Sequence, residues 1–131
     1  ILNLQEESAP VFTRQLVDEV RVMDGQEVCL ICICQAKPEP EIKWLRTTPQ
    51  DNINFIPVLF TSDIRATFDS STGRCILKIT DTYPQDAGTY MCSARNKHGQ
   101  AETLSNIVVD SKKKRIKNFF TFFTCLFKKL N

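Results

Sequence analysis

The sequence of 131 residues predicts an all-β fold, a sandwich of two sheets. Two observations carry that prediction. From Val11 to Val109 the apolar residues recur with a period of two, in short runs, which is the pattern of half-buried strands. Turn residues such as Asp24-Gly25 and Asn96 to Gly99 interrupt those runs every ~8–12 residues. Nothing in the span has the longer period of an amphipathic helix. A chain of this length supports one domain with a hydrophobic core and is too short for two ordinary ones.

Residues 1–9 read as a linker and 10–110 as the domain. Val20 and Val22 alternate before the turn at Asp24-Gly25. Val28, Leu30, Cys32 and Cys34 then share one face of a strand, with Cys29 on the other. Lys37 to Pro40 links this strand to the next, because proline is poorly tolerated inside a central strand. Ile42 and Trp44 share a face of that next strand, and a less regular stretch follows. Asp69 to Gly73 forms a turn, and Leu77 and Ile79 alternate with Lys78 and Thr80. Tyr90, Cys92 and Ala94 face inward, "NKHG" is a hairpin turn, and the last strand puts Ala101, Thr103, Ser105, Ile107 and Val109 on one face.

The stretch "QDAGTYMC", Gln85 to Cys92, narrows the fold further. In an immunoglobulin-type sandwich a cysteine of the second strand faces one on the sixth. A tryptophan of the third strand packs over them, and a tyrosine precedes the second cysteine by two residues. Cys32, Trp44, Tyr90 and Cys92 fit these places. Gly88 lets the chain turn before the strand, the Tyr90 hydroxyl bonds back to the corner, and Asp86 accepts hydrogen bonds or pairs with an arginine such as Arg65. That spacing serves a corner of a sandwich, and no catalytic chemistry.

The segments "APVF", "DGQEVCLICICQAKPEPEIKW", "GRCILKI" and "DTYPQDAGTYMCSARNKHGQAE" resemble an intermediate-set (I-set) immunoglobulin domain from about Pro10 to Val109. Within that set they are most similar to the repeats of giant muscle proteins such as titin, twitchin, obscurin and the kettin group, and of palladin and myosin light chain kinase relatives. The resemblance implies a non-enzymatic module that acts as spacer and spring, strung beside other immunoglobulin domains. It also implies docking of filament or signalling proteins in the cytoplasm, at the sarcomere or cytoskeleton. The rival of the same fold is an extracellular adhesion or receptor domain. Two departures stand out: the chain between Trp44 and Pro57 is several residues longer than the usual repeat, and the tail after Ser111 resembles no part of such a domain.

The cysteines of "CLICIC" raise a metal reading, since thiolates bind zinc, but the strand period sends Cys29 away from Cys32 and Cys34, and the one histidine, His98, sits in a distant hairpin. No metal or other cofactor is expected. Cys32 and Cys92 are expected within disulfide reach across the sandwich, and Cys34 opposite Cys75 as a second thiol pair. An extracellular location would bridge the first pair, and a cytosolic one would keep the thiols reduced as small buried apolar groups. His98 has no serine, aspartate or second histidine placed by a motif to work with it. Lys43, Arg46, Arg95, Lys97 and Glu102 are expected to be exposed, as a solvated face or a partner face.

Charge divides the chain. From Glu6 to Asp110 there are 10 basic residues against 15 acidic ones, a balance of −5, whereas Lys112 to Asn131 holds seven basic residues and no acidic one. An acidic body gives no reason to bind nucleic acid. On a helix the tail would gather Ile116, Phe119, Phe120, Phe123, Leu126, Phe127 and Leu130 on one side, with lysines at both ends. That pattern suits calmodulin or an anionic membrane surface. The run from Phe119 to Phe127 is too short to span a bilayer, which takes about 20 residues. The abrupt rise in Lys, Phe, Asn and Ile also fits noncoding sequence translated past an exon end near Val109 to Ser111, a non-native extension. The start at Ile1, without an initiator Met, is expected for a piece of a longer product. No Asn-x-Ser/Thr site occurs, which leans towards an intracellular protein.

Overall fold

Strand alternation decides which side chains enter the core. In the computed structural model, which describes residues 6–111, Val28, Leu30, Cys32 and Cys34 of β3 (Val28–Lys37) are buried while Cys29 and Gln35 between and after them face water. The same rule operates in β7 (Arg74–Ile79), and the other strands are β1 (Ser8–Arg14), β2 (Glu19–Met23), β4 (Glu41–Arg46), β5 (Ile56–Pro57), β6 (Ile64–Asp69), β8 (Gly88–Asn96) and β9 (Gly99–Asp110). Among the described residues the helical structure is a short 3₁₀ turn, Pro84–Asp86.

The strands form two sheets, in the orders β1-β3-β7-β6 and β2-β9-β8-β4-β5. The pairs are antiparallel except β2 with β9, which run parallel from Glu19 opposite Asn106 to Met23 opposite Asp110. Leu30, Leu77, Ile79, Tyr90 and Ile107 fill the space between the sheets, each at most 1 % exposed. Burying an aliphatic or aromatic side chain of this size stabilises by ~1.5–3 kcal/mol, so the inner faces supply the main drive to fold.

Turn chemistry places the strands against each other. Gly73 closes the β6–β7 hairpin at φ +81, its amide donating to the Asp69 carbonyl at 2.7 Å, and a Cβ there would run into the Cys34 carbonyl oxygen. Asn96 pairs with Gly99 across the β8–β9 turn, where the Asn96 side-chain oxygen accepts from the His98 amide at 2.9 Å. The lengthened stretch after Trp44 yields only β5, which pairs Ile56 and Pro57 with Arg46 and Leu45. The rest of it is an irregular connection, internally tied where Asp51 Oδ1 accepts from the Ile53 and Asn54 amides, each at 3.0 Å.

Candidate functional site

The corner between β7 and β8 is built around Tyr90. Its side chain is completely buried, and its hydroxyl donates to the Asp86 carbonyl at 2.7 Å. Burial pushes its ionisation above the ordinary tyrosine range, so the hydroxyl stays a donor. Asp86 fixes the 3₁₀ turn by accepting from the Tyr83 amide at 2.8 Å. Its arginine partner is Arg46, at 3.7 Å, in place of the expected Arg65, which lies on β6 with its side chain exposed. Arg46 stands opposite Tyr90 across the β4–β8 register, so its guanidinium lies 5.1 Å from the ring centroid. It also donates to the carbonyls of Gln85 at 2.6 Å and Ala87 at 3.2 Å.

Arg46 therefore belongs to the corner and not to the exposed charged face expected for it. Lys43, Arg95, Lys97 and Glu102 are exposed. The missed signal was the strand period itself, which puts residue 46 on the side that Trp44 occupies. Gly88, at φ +148, sits so close to β4 that a Cβ would meet the Thr47 carbonyl oxygen at 2.5 Å. The neighbouring Thr89 amide donates to Thr47 Oγ1 at 2.9 Å, which closes the corner on this side.

The thiols differ from expectation. Register sets Cys75 opposite Cys32, not opposite Cys34, because Cys34 reaches the turn, where its amide donates to the Gly73 carbonyl at 2.8 Å. Cys32, Cys75 and Cys92 are completely buried, with sulfur atoms all within 4.8 Å of one another, and all are free thiols. Trp44, 5 % exposed, is the cross-strand partner of Cys92. The Cys32 thiol is pushed up to about 12 by its hydrogen bond with Cys75 and by burial, and burial pushes Cys34 up to about 11. Hydrogen bonding to Cys32 and Cys75, with burial, raises Cys92 as well. The same hydrogen bonds, that with Cys32 first, lower Cys75, so Cys32, Cys34 and Cys92 are the thiols held protonated and poorly nucleophilic while the domain is folded. Among the described residues these three sulfurs are the group able to hold a metal ion, yet they offer three ligands in an apolar core where a net thiolate charge is costly.

His98 is not set up as a base. Its Nε2 lies 2.8 Å from a Glu7 carboxylate oxygen, to which Lys97 is also paired at 3.1 Å. These contacts tie the chain before β1 to the β8–β9 hairpin, and they hold the Glu7 carboxyl below the usual range, the His98 bond contributing most. At the other end, no helix of the described residues is long and apolar enough to cross a membrane. The anchors Ile116, Phe119, Phe120, Phe123, Phe127 and Leu130 lie outside the described residues, and with them the calmodulin- and membrane-binding readings of the tail.

A family model described as the immunoglobulin I-set domain matches residues 10–109. Titin of Drosophila melanogaster is 30% identical over 107 residues, 82% of this chain and a share of that protein that rounds to 0%. Palladin of Homo sapiens is 36% identical over 104 residues, 78% of this chain and 7% of that protein. The basement membrane-specific heparan sulfate proteoglycan core protein of Mus musculus is 29% identical over 111 residues, 85% of this chain and 3% of that protein. The chain thus spans 7% or less of the length of these relatives. Among solved structures, titin M4 superposes with a TM-score of 0.70 at 30% identity, covering 80% of this chain and 99% of that one. The complex of titin M10 with an obscurin-like 1 immunoglobulin domain gives 0.67 at 27% identity, covering 79% and 95%.

Proposed function

Because the chain belongs to the immunoglobulin I-set family, we propose that it works as a load-bearing spacer and docking module of a titin-like protein of the sarcomere or cytoskeleton. The domain itself is not catalytic; it is a structural or protein-binding module. The observation that carries the load-bearing reading is the parallel pairing of β2 with β9, five register pairs from Glu19–Asn106 to Met23–Asp110. β2 lies near the start of the described chain and β9 at its end. Tension along the chain therefore loads that ladder in shear, and its hydrogen bonds must fail together instead of one after another.

Protein docking is supported by a solved relative, since titin M10 is held in complex with an obscurin-like 1 immunoglobulin domain. Single-molecule pulling of the chain between inert handles tests the mechanical part. Val20→Pro or Val22→Pro, each removing an amide from β2, is expected to lower the unfolding force markedly while leaving the antiparallel core folded. An unchanged force for both would end the load-bearing reading.

The similarity to a basement membrane proteoglycan favours a second reading, an extracellular module of the same fold. Cys32 and Cys92 separate the two readings. Alkylation of the protein taken directly from its source tissue, followed by mass spectrometry, is expected to find both thiols free for the cytoskeletal module. A bridge between them would transfer the case to the extracellular one.

A further inference from the structure

Among the described residues β6 ends its sheet, and the hydrogen bonds on its inner side show which backbone groups are left over. In an antiparallel ladder alternate residues turn their amide and carbonyl towards the partner strand, and the residues between them turn both away. The Asp63 carbonyl accepts from the Thr80 amide at 2.9 Å and the Asp69 carbonyl from the Gly73 amide at 2.7 Å, so residues 63, 65, 67 and 69 bond towards β7. Ala66 and Phe68 therefore present their amides and carbonyls at the outer edge. Little guards this edge against another strand. Its register with β7 runs from Ile64 to Asp69 without a shift, and it holds neither proline nor lysine. By contrast β1 is interrupted by two register shifts and contains Pro10, and β5 is two residues long with Pro57.

The side chains along the edge are complementary to themselves. Arg65, Thr67 and Asp69 lie on the outer face, all exposed, and among the described residues neither Arg65 nor Asp69 belongs to an ion pair. Inside the domain Arg65 stands opposite Lys78, a like charge. We propose that the domain self-associates through β6, a second copy pairing antiparallel with Thr67 against Thr67 on a two-fold axis. Ala66 then lies opposite Phe68 of the second copy, and each such pair exchanges both backbone hydrogen bonds. Arg65 falls opposite Asp69 of the second copy, in the non-hydrogen-bonded position where side chains approach most closely. Symmetry repeats both pairings. The competing alignment, Ala66 against Ala66, would set Asp63 against Asp69, so charge selects the register.

The axis stands perpendicular to the sheet, so the second sheets of the two copies lie on the same side of it. Between β6 and the β4–β5 pair runs a groove of ≈ 520 Å³ lined by Trp44, Val58, Phe60, Ala66 and Phe68. Phe60 is 52% exposed and its neighbour Leu59 78%. Association brings the two grooves together and covers apolar surface that one copy leaves in water. The contact uses β6 and stands apart from the β2–β9 ladder of the mechanical reading.

Sedimentation equilibrium of the full chain over ~10 μM to ~1 mM tests this. The average mass is expected to rise with concentration from the 15.0 kDa of one chain towards twice that. Ala66→Pro removes an outward amide without touching the β6–β7 bonds, and should weaken association about tenfold or more. Arg65→Asp makes a chain acidic at both positions, and Asp69→Arg a chain basic at both. Each alone should stay monomeric, whereas an equimolar mixture should regain the dimer, because acid then meets base in both pairings. Circular dichroism verifies that the variants are folded, and the proline and charge variants are independent tests. A single 15.0 kDa species throughout would overturn the proposal. So would a dimer indifferent to all three variants, which would place the contact elsewhere, or a mixture no more dimeric than its components.

Discussion

Trp44 and Tyr90 show how much a single side chain carries here. Trp44 is 5% exposed in the same core as the three clustered thiols, so Trp44→Ala leaves a cavity that small neighbours cannot fill, and a loss of ~3–5 kcal/mol is expected in urea unfolding. Tyr90→Phe keeps the ring and removes one donor, leaving the Asp86 carbonyl without it, for a loss of ~0.5–1.5 kcal/mol. Cys34 makes a separate prediction about pH. Burial favours its protonated form, at about 11 against an ordinary 9.0. Above that ordinary value the unfolded chain releases a proton that the folded chain retains. Its contribution is therefore complete below pH 9.0 and is lost as pH rises through 11. The thiol steepens the fall by about 1.4 kcal/mol per pH unit in that window. Cys34→Ala should make the alkaline slope shallower by one thiol's share, as measured by urea unfolding at a series of pH values. An identical slope in the variant would refute the assignment.

At the scale of elements, the corner before β8 depends on how closely β4 and β8 approach. Gly88 holds φ +148 with the Thr47 carbonyl where a Cβ would stand. Gly88→Ala is expected to destabilise by ~1–3 kcal/mol, through backbone strain added to the displacement of β4. Arg46 braces the same junction from the other side, joining Asp86, Gln85 and Ala87 to β4. Because its guanidinium is largely buried, Arg46→Ala should cost more than an exposed ion pair would, and Arg46→Lys should restore little, since an ammonium cannot make the forked contacts. Thermal unfolding of the two variants side by side checks this. Full rescue by lysine would mean that charge alone matters at the corner.

At the scale of the whole molecule, the described strands close one core between two sheets, and both the apolar inner faces and the turns lie within residues 6–111. The proposed domain boundary follows, with a prediction: residues 1–110 alone should unfold cooperatively in a single transition, as a domain of this size does. A fragment that stays unfolded would refute that boundary. The acidic end near Tyr83 and the groove beside Phe60 are features of the assembled body. Each collects residues from several strands and loops.

The inward faces of β2, β3, β4, β7, β8 and β9 were legible in the order of residues alone, because a period of two is a local property of the chain, whereas β6, most of it exposed, left no such pattern. The places of Cys32, Trp44, Tyr90 and Cys92 were legible for the same reason, since each lies at a fixed offset on its own strand. Which residue meets which was settled by assembly. Sliding β7 by two residues against β3 keeps every side chain on its face, so alternation cannot tell Cys32 from Cys34 as the neighbour of Cys75. The choice between Arg46 and Arg65 as the partner of Asp86 had the same origin, since it depends on the β4–β8 register and on where the 3₁₀ turn docks. Asp24, Asp63 and Asp81 are far apart in the chain, and they gather at one end only because three separate connections close there. Faces follow from local geometry, whereas register and loop docking are fixed by contacts between distant segments.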